Sequence, residues 1–258
     1  MRISLIQTDI AWEDKQENLR RLRLRLEELK GRTDLVVVPE TFTTGFSMNA
    51  ARLAEPLTGP TVSLLQQWAS KYCTALAGSF IARHDDGTCR NRFFFFTPDG
   101  KAAYYDKRHL FRMGHEDQYF APGRERPVIS YRDFRILPQV CYDLRFPVWS
   151  RNVDNGYDLA VYVASWPASR RQVWDVLLRA RALENQCYVC GVNRTGIDGN
   201  NLLYDGGSVV YSPKGERLAS LPDGHEGTAT VDLDLASLQH FRKKFPVAAD
   251  ADPFVLQK

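Results

Sequence analysis

Leu35-Val36-Val37-Val38-Pro39-Glu40 is the stretch that decides the fold class. Four aliphatic residues in succession, with no polar residue between them, suit a strand buried on both faces, and the proline that follows cannot extend the ladder. Upstream, Met1 to Thr8 is another short β-prone run. Between the two, Leu19, Leu22, Leu26 and Leu29 recur at spacings of three and four, which predicts a helix over Glu17 to Lys30 ended by Gly31. A strand, an amphipathic helix and a buried strand in that order open an α/β fold. Glu40 stands just past the end of the second strand.

The rest of the chain continues the alternation. A helix is predicted over Thr61 to Tyr72, then strands over Thr74 to Ala82, Arg92 to Thr97 and Ala102 to Tyr105, the last two joined by the turn Pro98-Asp99-Gly100. The consecutive phenylalanines 93 to 96 would alternate between the two faces of their strand, two in each layer. Leu110 to Arg126 has no clean periodicity and reads as a long loop, of a length that usually serves function. Strands over Pro127 to Ser130 and Phe134 to Val140, a short helix over Val148 to Asn155, a strand over Leu159 to Ala164 and a strong helix over Val173 to Gln186 follow. Tyr188 to Val192, Ser208 to Tyr211, Arg217 to Ser220 and Ala229 to Leu233 complete the strands. No repeat, linker or low-complexity tract divides the chain, so residues 1–258 are expected to form a single domain.

Composition removes several function classes. With 44% apolar and 25% charged residues the chain can build a core, and its net charge of +3 is mixed along its length, which gives no field for nucleic acid or anionic lipid. The arginines at 20, 21, 23 and 25 are interrupted by acids and read as a solvated helix face. No apolar run approaches the ~18 residues needed to cross a bilayer, and the start lacks the pattern of a secretory signal. Five scattered cysteines do not form a disulfide framework. A cytoplasmic protein with reduced thiols is expected.

Three residues with useful chemistry, Glu40, Lys107 and Cys141, each lie just beyond an apolar strand. The carboxyl ends of strands are where α/β folds place their sites, so strands lying parallel would bring acid, amine and thiol to one rim. A thiol needs deprotonation to attack, a carboxylate in an apolar pocket can take that proton, and an ammonium can stabilise the oxyanion on an acyl carbon. Together they predict acyl transfer.

The segments Val37-Val38-Pro39-Glu40, Tyr105-Asp106-Lys107-Arg108-His109-Leu110 and Cys141-Tyr142-Asp143-Leu144-Arg145-Phe146-Pro147 resemble, in order and spacing, the three signature segments of the nitrilase superfamily of carbon-nitrogen hydrolases. Ala164-Ser165-Trp166-Pro167 and the helix Arg179-Ala180-Arg181-Ala182-Leu183-Glu184-Asn185 extend the resemblance over nearly the whole chain, and the bacterial omega-amidase branch is most similar. The resemblance implies a four-layer α-β-β-α sandwich and a homodimer or higher homo-oligomer. It also implies Cys141 as nucleophile, Glu40 as general base and acid, and Lys107 as oxyanion partner with the backbone N–H of Tyr142. Glu116 would help orient Lys107 and the substrate amide, and Trp166 would stand on the far pocket wall. The implied substrate is a small omega-amide such as 2-oxoglutaramate, with neither cofactor nor metal. Nitrile or N-carbamoyl hydrolysis with the same triad, and a catalytically idle binding subunit, are the alternatives. Where many relatives have a glycine shortly before the cysteine and an acid after Phe-Pro, this chain has Pro138-Gln139-Val140 and Val148, which bears on the elbow and the substrate.

A substrate carboxylate would need an arginine. Arg170 and Arg171 follow Trp166, Arg112 shares the loop of Glu116, and Arg145, in a signature segment, is expected to have a structural task. Cys187 and Cys190 have metal or redox spacing, but three residues apart on a strand they point to opposite faces and read as core. His109 and His115 lack the further ligands a metal needs. Asn193-Arg194-Thr195 is an idle sequon, and no phosphate-binding glycine loop occurs.

Overall fold

The computed structural model of the chain describes residues 1–255. The first sheet contains β1 (Arg2–Gln7), β2 (Leu35–Val37), β3 (Ala75–Arg83), β4 (Cys89–Phe96), β5 (Ala102–Asp106) and β14 (Gly227–Asp232), ordered β14-β1-β2-β3-β4-β5. The second contains β6 (Ile129–Tyr131), β7 (Phe134–Val140), β8 (Leu159–Ala164), β9 (Tyr188–Asn193), β12 (Val209–Tyr211) and β13 (Arg217–Ser220), ordered β13-β12-β9-β8-β7-β6. In each sheet three strands are parallel, β1-β2-β3 and β7-β8-β9, and the edges are antiparallel.

The period-two rule sorts side chains into layers. Leu5, Val37, Phe93 and Phe95 meet Val140, Val161, Val192 and Cys190 in the core between the sheets. Ile6, Val36, Phe94 and Phe96 point the other way, onto α1 (Lys15–Leu29) and α3 (Pro60–Tyr72). Leu137, Tyr162, Val189 and Cys187 likewise pack against Trp174 and Leu178 of α5 (Arg171–Asn185). The result is the expected α-β-β-α sandwich, with two phenylalanines of the run 93 to 96 in each layer and the two cysteines on opposite faces.

Several elements differ from the sequence reading. The helix expected over Val148 to Asn155 is two pieces, α4 (Pro147–Ser150) and a 3-10 turn over Val153–Asn155. Asn152 breaks it, because its amide donates to the carbonyls of Tyr157 and Asn185 while its backbone N–H donates to the Asn185 side chain. A short α2 (Ala50–Leu53), the hairpin β10 (Thr195–Ile197) and β11 (Leu203–Asp205), and α6 (Leu235–Lys244) have no counterpart in the reading. The hairpin strands are too short to show alternation. α6 buries only Leu238 and Arg242, and Arg242 ties it down through Asp158 and the carbonyls of Gln186 and Tyr157.

Candidate active site

Glu40 follows β2 and Lys107 follows β5. Because β4 is antiparallel to both β3 and β5, β5 runs in the same sense as β2 and delivers Lys107 to the same end of the first sheet. Cys141 follows β7 in the other sheet. The three groups therefore meet from two facing sheets, a correction to the expectation of a single rim of parallel strands.

The thiol sits on an elbow. Val140 is extended, with φ −124°, and Cys141 takes φ +46°, a left-handed conformation that is costly for a residue with a Cβ and is held only by its surroundings. Asp143, buried, supplies that hold: its Oδ2 accepts from Val140 N–H at 3.0 Å and Tyr105 O–H at 2.7 Å, and its Oδ1 accepts from His109 N–H at 3.0 Å. The turn is made at Cys141 itself, so the missing glycine upstream removes nothing that the backbone needs. His109 also places Nδ1 2.8 Å from Asp143 Oδ1 and stacks on Phe146. It belongs to this brace, and among the described residues no group of three possible ligands surrounds a metal.

Lys107, Glu40 and Glu116 are buried together. Lys107 Nζ donates to Glu40 Oε1 at 2.9 Å and lies 3.0 and 2.9 Å from the two oxygens of Glu116. Burial alone would strip the lysine of its proton, but the charges of Glu116 and Glu40 outweigh it and hold the ammonium above its ordinary value. Burial raises the Glu116 carboxyl; Lys107 opposes that and Glu40 adds to it. Burial likewise pushes the Cys141 thiol well above its ordinary range, with the charge of Glu40 adding to the effect and Lys107 working against it. At neutral pH the sulfur is a thiol, and its proton must leave as the sulfur attacks.

A cavity of about 340 Å³ opens above this cluster, lined by Lys107, Cys141, Tyr142, Ser165 and Trp166 among others. Arg145 and Arg170 also line it, Arg145 over the Trp166 ring at 5.4 Å and Arg170 over the Phe111 ring at 5.1 Å. Arg145, expected to have a structural task, is stacked on Trp166 and at the same time faces the cavity. Arg171 is engaged by Asp175, Asp205 and Asp223, and Arg112 is largely exposed beside Asp117, away from the cavity.

The whole-chain comparisons agree with this geometry. The family model described as carbon-nitrogen hydrolase matches residues 2–243. The chain belongs to that family. It is 46% identical to the omega-amidase YafV of Yersinia enterocolitica over 99% of this chain and 98% of that one. It is 30% identical to a 2-oxoglutaramate amidase of Bacillus subtilis, over 96% of each chain. Among solved structures, a CN-hydrolase superfamily protein of Xanthomonas campestris with an arsenic adduct in its active site superposes with a TM-score of 0.97 at 44% identity, covering 100% of this chain and 99% of that one. An amidase of Nesterenkonia sp. AN1, in a mutant form carrying a Michael adduct of acrylamide on its active-site cysteine, gives a TM-score of 0.82 at 27% identity, covering 96% and 98%.

In this carbon-nitrogen hydrolase the sequence reading missed three supports of the site. Asn91 donates to Glu40 Oε1 at 2.7 Å and to Glu116 Oε1 at 3.2 Å. Ser165 N–H donates to Glu40 Oε2 at 2.8 Å. Asp143 braces the elbow. A signal for Asn91 existed: it shares the parity of Phe93 and Phe95, so a polar residue pointed into the layer between the sheets. Ser165 and Asp143 carried none beyond their place in the quoted segments.

Proposed function

We propose that this hydrolase cleaves a small omega-amide, such as 2-oxoglutaramate, to the carboxylate and ammonia through an acyl-enzyme on Cys141. Glu40 takes the thiol proton as Sγ bonds to the amide carbon. Lys107 and the Tyr142 N–H receive the developing oxyanion. The C–N bond breaks, ammonia leaves with the proton from Glu40, and Glu40 then takes a proton from the water that attacks the thioester. Return of that proton to the sulfur frees the acid and restores the enzyme. Glu116 keeps Lys107 in place and orients the amide, while Trp166 walls the acyl chain. The observation that carries this reading is one buried ammonium held at 2.9 Å by Glu40 and by Glu116 in the cavity that exposes Cys141.

The far end of an omega-amide carries a carboxylate, and Arg145 and Arg170 are the cavity arginines that can receive it. Residues 1–258 act as one domain. A homodimer fits the outward apolar residues Val148, Val176 and Leu183 of α4 and α5, which such pairing would cover. A cytoplasmic site fits the buried free thiols Cys187 and Cys190, and among the described residues no helix is long and apolar enough to cross a membrane. The test is ammonia release from a panel of 2-oxoglutaramate, neutral amides of equal length, the matching nitriles and N-carbamoyl compounds. Preference for the charged amide is expected; equal turnover of neutral amides or nitriles would overturn the substrate assignment.

A further inference from the structure

Glu40 and Glu116 share a single lysine, so two buried carboxylates face one cation. Among the described residues the other side-chain donor common to both is Asn91 on β4, 1% exposed, whose Nδ2 reaches Oε1 of each glutamate. Its orientation is fixed from behind. Ser79 Oγ accepts from Thr41 N–H at 2.8 Å and gives its own hydrogen to Asn91 Oδ1 at 3.0 Å, which leaves only the NH₂ end for the carboxylates. The Asn91 carbonyl also accepts from Lys107 N–H at 3.0 Å, so one residue sets the lysine backbone and both acids.

Lone-pair counting then separates the two oxygens of Glu40. Oε1 accepts from Lys107 and Asn91 and is saturated, whereas Oε2 accepts from Ser165 N–H and keeps a second lone pair. Cys141 Sγ lies 3.9 Å from the Ser165 carbonyl, beside that same residue.

We propose that Asn91 is a positioning residue of the amidase reaction: by holding Oε1 of Glu40 and of Glu116 against Lys107, it leaves Glu40 Oε2 as the oxygen that takes the proton from the Cys141 thiol. In that step the Sγ–H bond breaks as Oε2–H forms, and the carbonyl π pair moves onto its oxygen as Sγ–C forms. The inference rests on the amidase reading above. It gives an asparagine, which neither titrates nor touches substrate, a place in the proton transfer.

Two variants test it. Asn91→Leu keeps the branched skeleton, at a somewhat larger volume, and deletes the donor, while Asn91→Asp restores a donor only when protonated, which the charges of Glu40 and Glu116 favour and that of Lys107 opposes. With 2-oxoglutaramate as substrate and circular dichroism to confirm folding, Asn91→Leu should lose about 100-fold in kcat with little change in KM, the cost of a misplaced catalytic group. The ratio of Asn91→Asp to wild type in kcat/KM should climb as pH falls from about 9 to about 6, roughly tenfold or more if one protonation restores the donor. Dividing by wild type removes the pH dependence common to both enzymes, while the new carboxylate acts back on the neighbouring carboxylates and steepens the same climb. A structural role that does not act through the two carboxylates would leave that ratio flat. A flat or falling ratio, a kcat for Asn91→Leu close to wild type, or a loss confined to KM would each overturn the proposal. If Asn91→Leu does not fold, Ser79→Ala decides: a fall in kcat at constant KM supports the proposal, and an unchanged kcat overturns it. A wild type inert towards every omega-amide would instead refute the amidase reading.

Discussion

Lys107→Met leaves the carboxylates of Glu40 and Glu116 fully buried without their cation. In the wild type both contacts are 2.9 Å and all three side chains have no exposed surface. Removing one partner of such a buried set costs about 3–5 kcal/mol, because the remaining charge has lost its solvation and its counter-ion. At about 2–4 °C per kcal/mol for a domain approaching this size, the melting temperature should drop by about 6–20 °C at pH 8. The loss should depend on pH in a definite direction. Burial raises the Glu116 carboxyl, Lys107 pulls it down and Glu40 raises it further, so deleting Lys107 leaves burial and Glu40 opposed by the Phe111 N–H hydrogen bond without the lysine's charge. A carboxyl raised in the folded state binds its proton more tightly there than in the unfolded chain. Its contribution to stability is complete below the unfolded value, near 4.5, and is lost as pH climbs through the folded one. The gap between variant and wild type should therefore widen from about pH 5 to about pH 8. Thermal unfolding by differential scanning fluorimetry, checked by calorimetry, measures it. The double variant Lys107→Met/Glu116→Gln should recover part of the loss at pH 8, since it removes the excess charge. A gap that is constant with pH, or a double variant less stable than the single one, would refute the electrostatic reasoning.

Cys141→Ala should abolish ammonia release with an unchanged melting temperature within about 2 °C, a small truncation at a cavity wall; rapid-quench mass spectrometry of wild type should find the acyl adduct on the Cys141 peptide. Glu40→Gln should cut the acylation rate by about two to four orders of magnitude, with a smaller loss for Glu116→Gln; single-turnover kinetics in which Glu116→Gln falls as far would assign it a proton transfer. Arg170→Gln and Arg145→Gln should raise KM for omega-amides bearing a carboxylate and leave neutral amides nearly unchanged, and equal effects on both classes would remove the arginines from carboxylate binding. Activity should survive EDTA, because the proposed mechanism takes the positive charge at the reacting carbonyl from Lys107; inactivation reversed by zinc alone would contradict that.

The buried strands β2, β7 and β8 and the helices α1 and α5 were legible because one dominant force, burial of apolar surface, writes a period of two or 3.6 into the residues themselves. The phenylalanines 93 to 96 and the pair Cys187 and Cys190 could be assigned to faces by parity alone, and they lie where parity puts them. Glu40, Lys107 and Cys141 were legible as reactive types at strand ends, and their surrounding segments carried the resemblance to the nitrilase superfamily. Tertiary structure decided the rest. It alone could say that the thiol approaches from the opposite sheet, that Asn91, 51 residues from Glu40, bridges both acids, and that Asp143 braces the elbow through His109 and Tyr105. The same holds for which arginines reach the cavity, since Arg170 and Arg171 are neighbours in the chain yet one lines the cavity and the other is spent on three aspartates. The physical reason is range. Periodicity is a local property that each segment declares by itself, whereas hydrogen bonds and ion pairs are satisfied by whatever the fold brings within 3 Å or so, and that partner is chosen only when the two sheets close on each other.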